Sequence, residues 1–139
     1  MTTSKVAIVM GSTSDQATMH HAAETLEGLG VEYETRVLSA HRTPEALREW
    51  VESLHDRGVR VVICGAGGAA HLAGAVAALT TLPVIGVPLV APNAIAGGLD
   101  ALLRASQGGD RLTATPAREA LALEGSTEDP GDGDLGVAA

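Results

Sequence analysis

Phenylalanine is missing from this chain, and Tyr33 and Trp50 are its only aromatic residues. A core must therefore be assembled from Val, Leu, Ile and many Ala, whose small side chains let elements approach closely but bury little area each. That makes a lone monomer a modest proposition and points to self-association. Cysteine is nearly absent too. Cys64 stands alone, so no internal disulfide can form, and the apolar run around it predicts a buried, inert thiol. No N-terminal stretch reads as a signal peptide and no apolar run approaches the roughly 20 residues of a membrane span, which points to the cytoplasm. Basic clusters interleaved with aromatics are lacking, which argues against nucleic acid as a partner. Zinc-spaced Cys/His sets, a GxSxG elbow, a Walker loop and a GxGxxG turn are likewise missing, which removes the commonest metal, acyl-transfer and dinucleotide chemistries.

What remains is a globular composition. Hydrophobic residues make up 45% of 139 residues, a length that suits one domain. Folding should bury roughly 68% of the surface its unfolded chain exposes. The net charge of −8 is unevenly spread: residues 1–108 carry 7 Lys/Arg against 10 Asp/Glu, and residues 109–139 carry 2 against 7. The final stretch, 125–139, is acidic with Gly and Pro, a composition that predicts disorder, so the expected domain spans 1–124.

Strand and helix signals alternate along that domain. Val6–Met10 is a continuous apolar run, the mark of a parallel strand buried on both faces. Met19, Ala22, Ala23, Leu26 and Leu29 share a helical face that stops at Gly28 and Gly30. Val31, Tyr33, Thr35 and Val37 alternate as a more exposed strand near a sheet edge. Thr43 suits an N-cap and Pro44 the first helical position. Leu47, Trp50, Val51 and Leu54 then form a helical stripe ended by Gly58. Val59–Cys64 predicts a third strand and Gly65–His71 a glycine-rich turn, followed by a helix with Leu72, Ala75, Val76 and Leu79 inward. Pro83–Val87 predicts a fourth strand and 88–97 a loop. A short helix over 98–106, a strand over 111–115 and a helix over 116–124 complete the reading. Such alternation predicts a three-layer α/β fold, a doubly wound parallel sheet of flavodoxin-like or Rossmann-like order. Ligands in such sheets bind beyond the carboxyl ends of the strands, near the switch in strand order.

Three loops follow those ends: Gly11–Asp15, Ser39–Pro44 and Gly65–His71. A helix N-terminus with the hydroxyls of Ser12 and Ser14 suits a phosphate, although Ser14 or Asp15 could equally serve only as a cap. His41 and Arg42 are more telling. Arginine grips phosphate bidentately, and histidine exchanges protons near neutral pH, against the plainer reading of a surface His–Arg step. Gly65–Gly68 lets backbone approach a ligand, and His71 opens the next helix, where it could equally satisfy local backbone. His20, His21 and His55 fall on helices away from these loops and are expected to face solvent.

The texts VAIVMGSTSD (6–15), SAHRTP (39–44), GAGGAAHLAG (65–74) and LPVIGVP (82–88) strongly resemble the N5-carboxyaminoimidazole ribonucleotide mutase family, the bacterial PurE type, over roughly the first 107 residues. The resemblance implies a cofactor-free and metal-free isomerase. It would move a carboxyl group from the exocyclic nitrogen to ring C4 of an imidazole ribonucleotide, through loss and recapture of CO2. His41 would be the general acid/base. Ser14, Ser39 and Arg42 match phosphate contacts, and Asp15 matches the ribose contact. Ser12 with the backbone of Ala66, Gly67 and Gly68 matches the carboxylate or CO2 pocket, and His71 matches a second histidine close to it. The resemblance also implies a homo-octamer. The chain departs from the family at Ala73, where a proline is usual, at Val90–Ala96, and beyond Gln107, where the family continues with a strand and a long helix that help close the site and build the oligomer. Those departures leave two further readings open: a diverged (de)carboxylase (a lyase) acting on another heterocyclic nucleotide in a specialised pathway, and a catalytically silent nucleotide-binding or assembly subunit. Intact Ser12, Asp15, His41 and Arg42 speak against the silent reading.

Overall fold

The computed structural model describes residues 3–67 and 71–90 and the backbone of a strand at 112–114. The expected helices at 98–106 and 116–124 and the acidic stretch 125–139 lie outside the described residues. In chain order the elements are β1 (Val6–Met10), a 3-10 turn (Thr13–Asp15), α1 (Gln16–Gly28), β2 (Tyr33–Val37), α2 (Pro44–Leu54), β3 (Val61–Gly67), α3 (His71–Leu79), β4 (Val84–Leu89) and β5 (Leu112–Ala114). All strand pairs are parallel, in the order β2-β1-β3-β4-β5, which is the flavodoxin-like arrangement.

Strand β1 is buried along its whole length, and its alternate side chains divide the core in two. Ala7 and Val9 pack with Val62, Cys64 and Val84 beneath α2 and α3. Val6, Ile8 and Met10 pack with Met19 and Ala23 of α1 on the other face. The three layers follow from this alternation. Strand β2 lies at the sheet edge, as its half-polar pattern foretold. Cys64 is buried and its thiol is pushed far up by that burial, so it is inert.

Two helices end in the same way. After α1, Gly30 adopts φ 67°; its N–H donates to Glu27 O and the Val31 N–H to Leu26 O. After α2, Gly58 adopts φ 83°; its N–H donates to His55 O and the Val59 N–H to Leu54 O. Both are Schellman caps, which need a residue free to enter the left-handed region.

Several expectations need correction. Strand β3 runs to Gly67 and β4 to Leu89, because Gly65, Ala66 and Gly67 pair with Val87, Pro88 and Leu89. The glycine run is thus largely strand, and pairing overrides its turn composition. Gly65 lies tight against α1: a Cβ would overlap Met19 Sδ and sit 2.9 Å from its Cγ, so the Met19 side chain would have to shift. Helix α3 buries Leu72, Ala73, Val76 and Ala77 and leaves Ala75 and Leu79 only partly buried, a rotation that brings small residues against the sheet. His20 and His55 face solvent, but His21 is half-buried, with its Nδ1 3.4 Å from Glu24 Oε2. Among the described residues no helix is long and apolar enough to cross a membrane.

One tether was not foreseen. Glu34 on β2 accepts from Arg57 Nη1 and Nη2 at 2.6 and 2.8 Å and from Trp50 Nε1 at 3.0 Å. It binds the edge strand to the middle of α2 and to Arg57 just beyond that helix. The Arg57 guanidinium holds the Glu34 carboxyl below its ordinary value.

Two outcomes follow. Gly65→Ala should cost about 1–3 kcal/mol in wild type and far less in a Met19→Ala background, read as a coupling in a denaturant double-mutant cycle. Glu34→Gln should cost about 1 kcal/mol near neutral pH. Because the folded-state carboxyl titrates lower than the unfolded one, that stability is present above the ordinary range and lost as pH falls through the depressed value. Stability curves of the two proteins should therefore converge only on acidification to below the ordinary carboxylate range.

Candidate active site

Strand register decides what meets what. Met10 pairs with Val37 of β2 and with Gly65 of β3, so β1 stops two residues short of the end of β3. A notch opens there at the carboxyl edge, at the β1/β3 switch point. The chain leaving β2 is pinned beside it, since the Leu38 N–H donates to Met10 O at 2.9 Å.

The loop after β1 forms the 3-10 turn. Ser12 caps it from extended backbone: its Oγ accepts from the Ser14 N–H at 3.3 Å and lies 2.9 Å from Ser14 Oγ. Ser12 thus caps the 3-10 turn, while Asp15 holds the expected N-cap position of α1. Asp15 is half-buried at the start of α1 with no side-chain capping bond, and burial pushes its carboxyl above the ordinary range. A carboxylate so placed gains from hydroxyl donors supplied by a ligand.

The loop after β2 is knotted by its own hydroxyls. Ser39 Oγ accepts from the N–H groups of His41 and Arg42 at 3.3 and 3.2 Å. With both lone pairs engaged, that hydroxyl can offer a ligand only its hydrogen. Thr43 Oγ1 accepts from the Ser39 N–H at 3.0 Å and donates to Ser39 O at 3.1 Å. Thr43 therefore occupies the N-cap position of α2 without a side-chain cap bond; its hydroxyl closes the loop instead. Composition hid this role. Its visible trace was a pair of hydroxyl residues four apart between a strand end and Pro44.

Two contacts join the loops. Arg42 Nη2 donates to Gly11 O at 3.1 Å, leaving the other guanidinium hydrogens for an anion. His41 Nε2 lies 3.0 Å from Nδ1 of His71, the first residue of α3, with the rings edge to face. Both imidazoles are exposed. Ala66 and Gly67 end β3, half-buried, at the notch. Of the expected site residues, Ser12 and Ser14 touch each other, Ser39 organises His41 and Arg42, and His41 meets His71. The Asp15 carboxyl takes a hydrogen bond from the Ser12 backbone, and Gly68 lies outside the described residues. Among the described residues no group of three or more His, Cys, Asp or Glu is placed to hold a metal ion.

A parallel sheet of flavodoxin-like order that brings an imidazole pair, an arginine and several hydroxyls to the carboxyl ends of its strands defines a flavodoxin-like α/β protein. Within that class, the chain belongs to the AIR carboxylase family, whose model matches residues 5–113. It is 55% identical over 98 residues to the N5-carboxyaminoimidazole ribonucleotide mutase of Bacillus subtilis (strain 168), covering 70% of this chain and 59% of that one. It is 58% identical over 97 residues to the mutase of Vibrio cholerae, again covering 70% and 59%. The chain thus spans about 60% of the length of the curated relatives it matches. Among solved structures it is similar to Treponema denticola PurE, with a TM-score of 0.67 and 30% identity over 85% of this chain and 76% of that one.

Loop closure by Thr43 can be measured directly. Thr43→Val should speed exchange of the Ser39 amide hydrogen roughly five- to tenfold, in keeping with the loss of about 1 kcal/mol of hydrogen bonding, while Thr43→Ser keeps it near the wild-type rate.

Proposed function

We propose that this protein is an N5-carboxyaminoimidazole ribonucleotide mutase-like enzyme, with His41 as its acid and base. The observation that carries the reading is the joining of the loops: His41 against His71 at 3.0 Å, beside Arg42, which reaches Gly11 at 3.1 Å. It is supported by the close similarity to mutases of known name.

The chemistry then balances on one imidazole. Protonated His41 gives its proton to the carbamate nitrogen; the nitrogen–carboxyl bond breaks and CO2 leaves, the bonding pair remaining on nitrogen. The amine pushes electrons through the ring, and C4 attacks the CO2 carbon to form the new bond. Neutral His41 removes the C4 proton, which restores the aromatic ring and the imidazolium. One proton is given and one is taken. Ser14, the obligate donor Ser39 and Arg42 receive the phosphate, and the half-buried Asp15 receives the ribose hydroxyls. Ser12 with the backbone at Ala66, Gly67 and Gly68 holds the carboxylate and the freed CO2, with His71 adjacent. On this reading the enzyme is cytoplasmic, its domain runs to residue 124 before an acidic tail, and it works as a homo-oligomer.

The test uses substrate labelled with 13C in the carboxyl group. The label should move to ring C4, and His41→Asn should lower kcat by about a thousandfold while ligand affinity changes less than severalfold. Release of label only as bicarbonate, no faster than in buffer, or undiminished turnover by His41→Asn, would overturn the reading.

A further inference from the structure

The contact between the two imidazoles dictates more than proximity. Nε2 of His41 and Nδ1 of His71 are 3.0 Å apart, and the rings are T-shaped, 5.1 Å between centroids. At that separation one nitrogen must carry a hydrogen and the other a lone pair, since two lone pairs or two N–H groups facing each other repel.

Position says which ring stays neutral. His71 is the first residue of α3, a nine-residue helix, and the N-terminal end of a helix carries partial positive charge that disfavours a cation there. His41 sits in a loop. When His41 carries the charge, both facts are met with His71 neutral, its hydrogen on Nε2 and its Nδ1 accepting from His41 Nε2–H.

We propose that His71 is a positioning residue that fixes the tautomer of His41, so that His41 keeps Nε2 protonated throughout and exchanges protons with the ligand only through Nδ1. A neutral His41 then presents a lone pair on Nδ1 as base, and the imidazolium presents Nδ1–H as acid. Without His71, a neutral His41 would divide between two tautomers, one of which offers the ligand an N–H where a base is needed. The use made of that proton rests on the mutase reading above; the tautomer is a property of the free protein.

Long-range 1H–15N spectra of the labelled free protein test it, with His41→Asn used to assign the signals. In wild type, His41 should show a protonated Nε2 and His71 an unprotonated Nδ1. His71→Leu should leave the His41 ring nitrogens averaged between tautomers, and His71→Asn, whose amide oxygen reaches the place of Nδ1, should restore the wild-type pattern. Both rings are exposed, so neither substitution disturbs the core, and thermal melts check this. In turnover, His71→Leu should lower kcat roughly ten- to a hundredfold with KM within about threefold, and His71→Asn should recover part of the loss. Averaged His41 nitrogens in wild type, a protonated Nδ1 in its neutral form, or a spectrum unchanged by His71→Leu would overturn the proposal. Absence of mutase turnover in wild type would instead strike the functional reading, with the ring-nitrogen spectra still deciding this one.

Discussion

Everything in this site depends on three parallel strands ending near one line. Met10 faces Val37 on one side and Gly65 on the other, so the chain leaves β1, β2 and β3 at the same edge of the sheet. Antiparallel pairing would have sent one of those loops to the far end. Because β1 is central among the three and buried on both faces, its register is strongly specified: a slip of one residue would exchange Ala7 and Val9 with Ile8 and Met10 between two differently filled cores. The placement of the imidazoles is thus a consequence of how apolar side chains pack several residues away.

From that constraint the loops need little help to become a site. Backbone donors and hydroxyls near the notch largely satisfy one another, as in the ring formed by Ser39 and Thr43 and the cap formed by Ser12. Such self-satisfaction costs no external partner, and it sorts the remaining groups by sign. Ser39 can offer only a hydrogen, Arg42 only hydrogens, and Asp15 an under-solvated carboxylate.

Much of this was legible in the sequence, because the relevant signals are local. The uninterrupted apolar run of β1, the Trp50 stripe of α2 and the glycines at 30 and 58 each report their own conformation through sterics and burial. Where local and long-range information compete, the sequence misled. Three residues at 65–67 look like a turn because two of them are glycine, yet pairing with β4 and the Met19 thioether packed over Gly65 make them strand. Thr43 looks like a helix cap because position and type agree, yet Ser39 offers its hydroxyl both a donor and an acceptor. Glu34, Trp50 and Arg57 are far apart in sequence, so no periodicity could join them. The site was readable as three loops; the contacts that bind the loops to one another were not.

The exposure of both imidazoles has a further consequence for the proposed reaction. A freed CO2 molecule beside solvent-accessible rings would diffuse away before C4 could recapture it, so productive transfer requires that the site be covered during the step. Among the described residues nothing covers His41 and His71, both of which are exposed. Cover must therefore come from elsewhere: from other parts of the chain, from the ligand itself, or from a second copy. An Ala- and Val-built core without phenylalanine gives each subunit modest apolar burial, so association would serve stability and closure together.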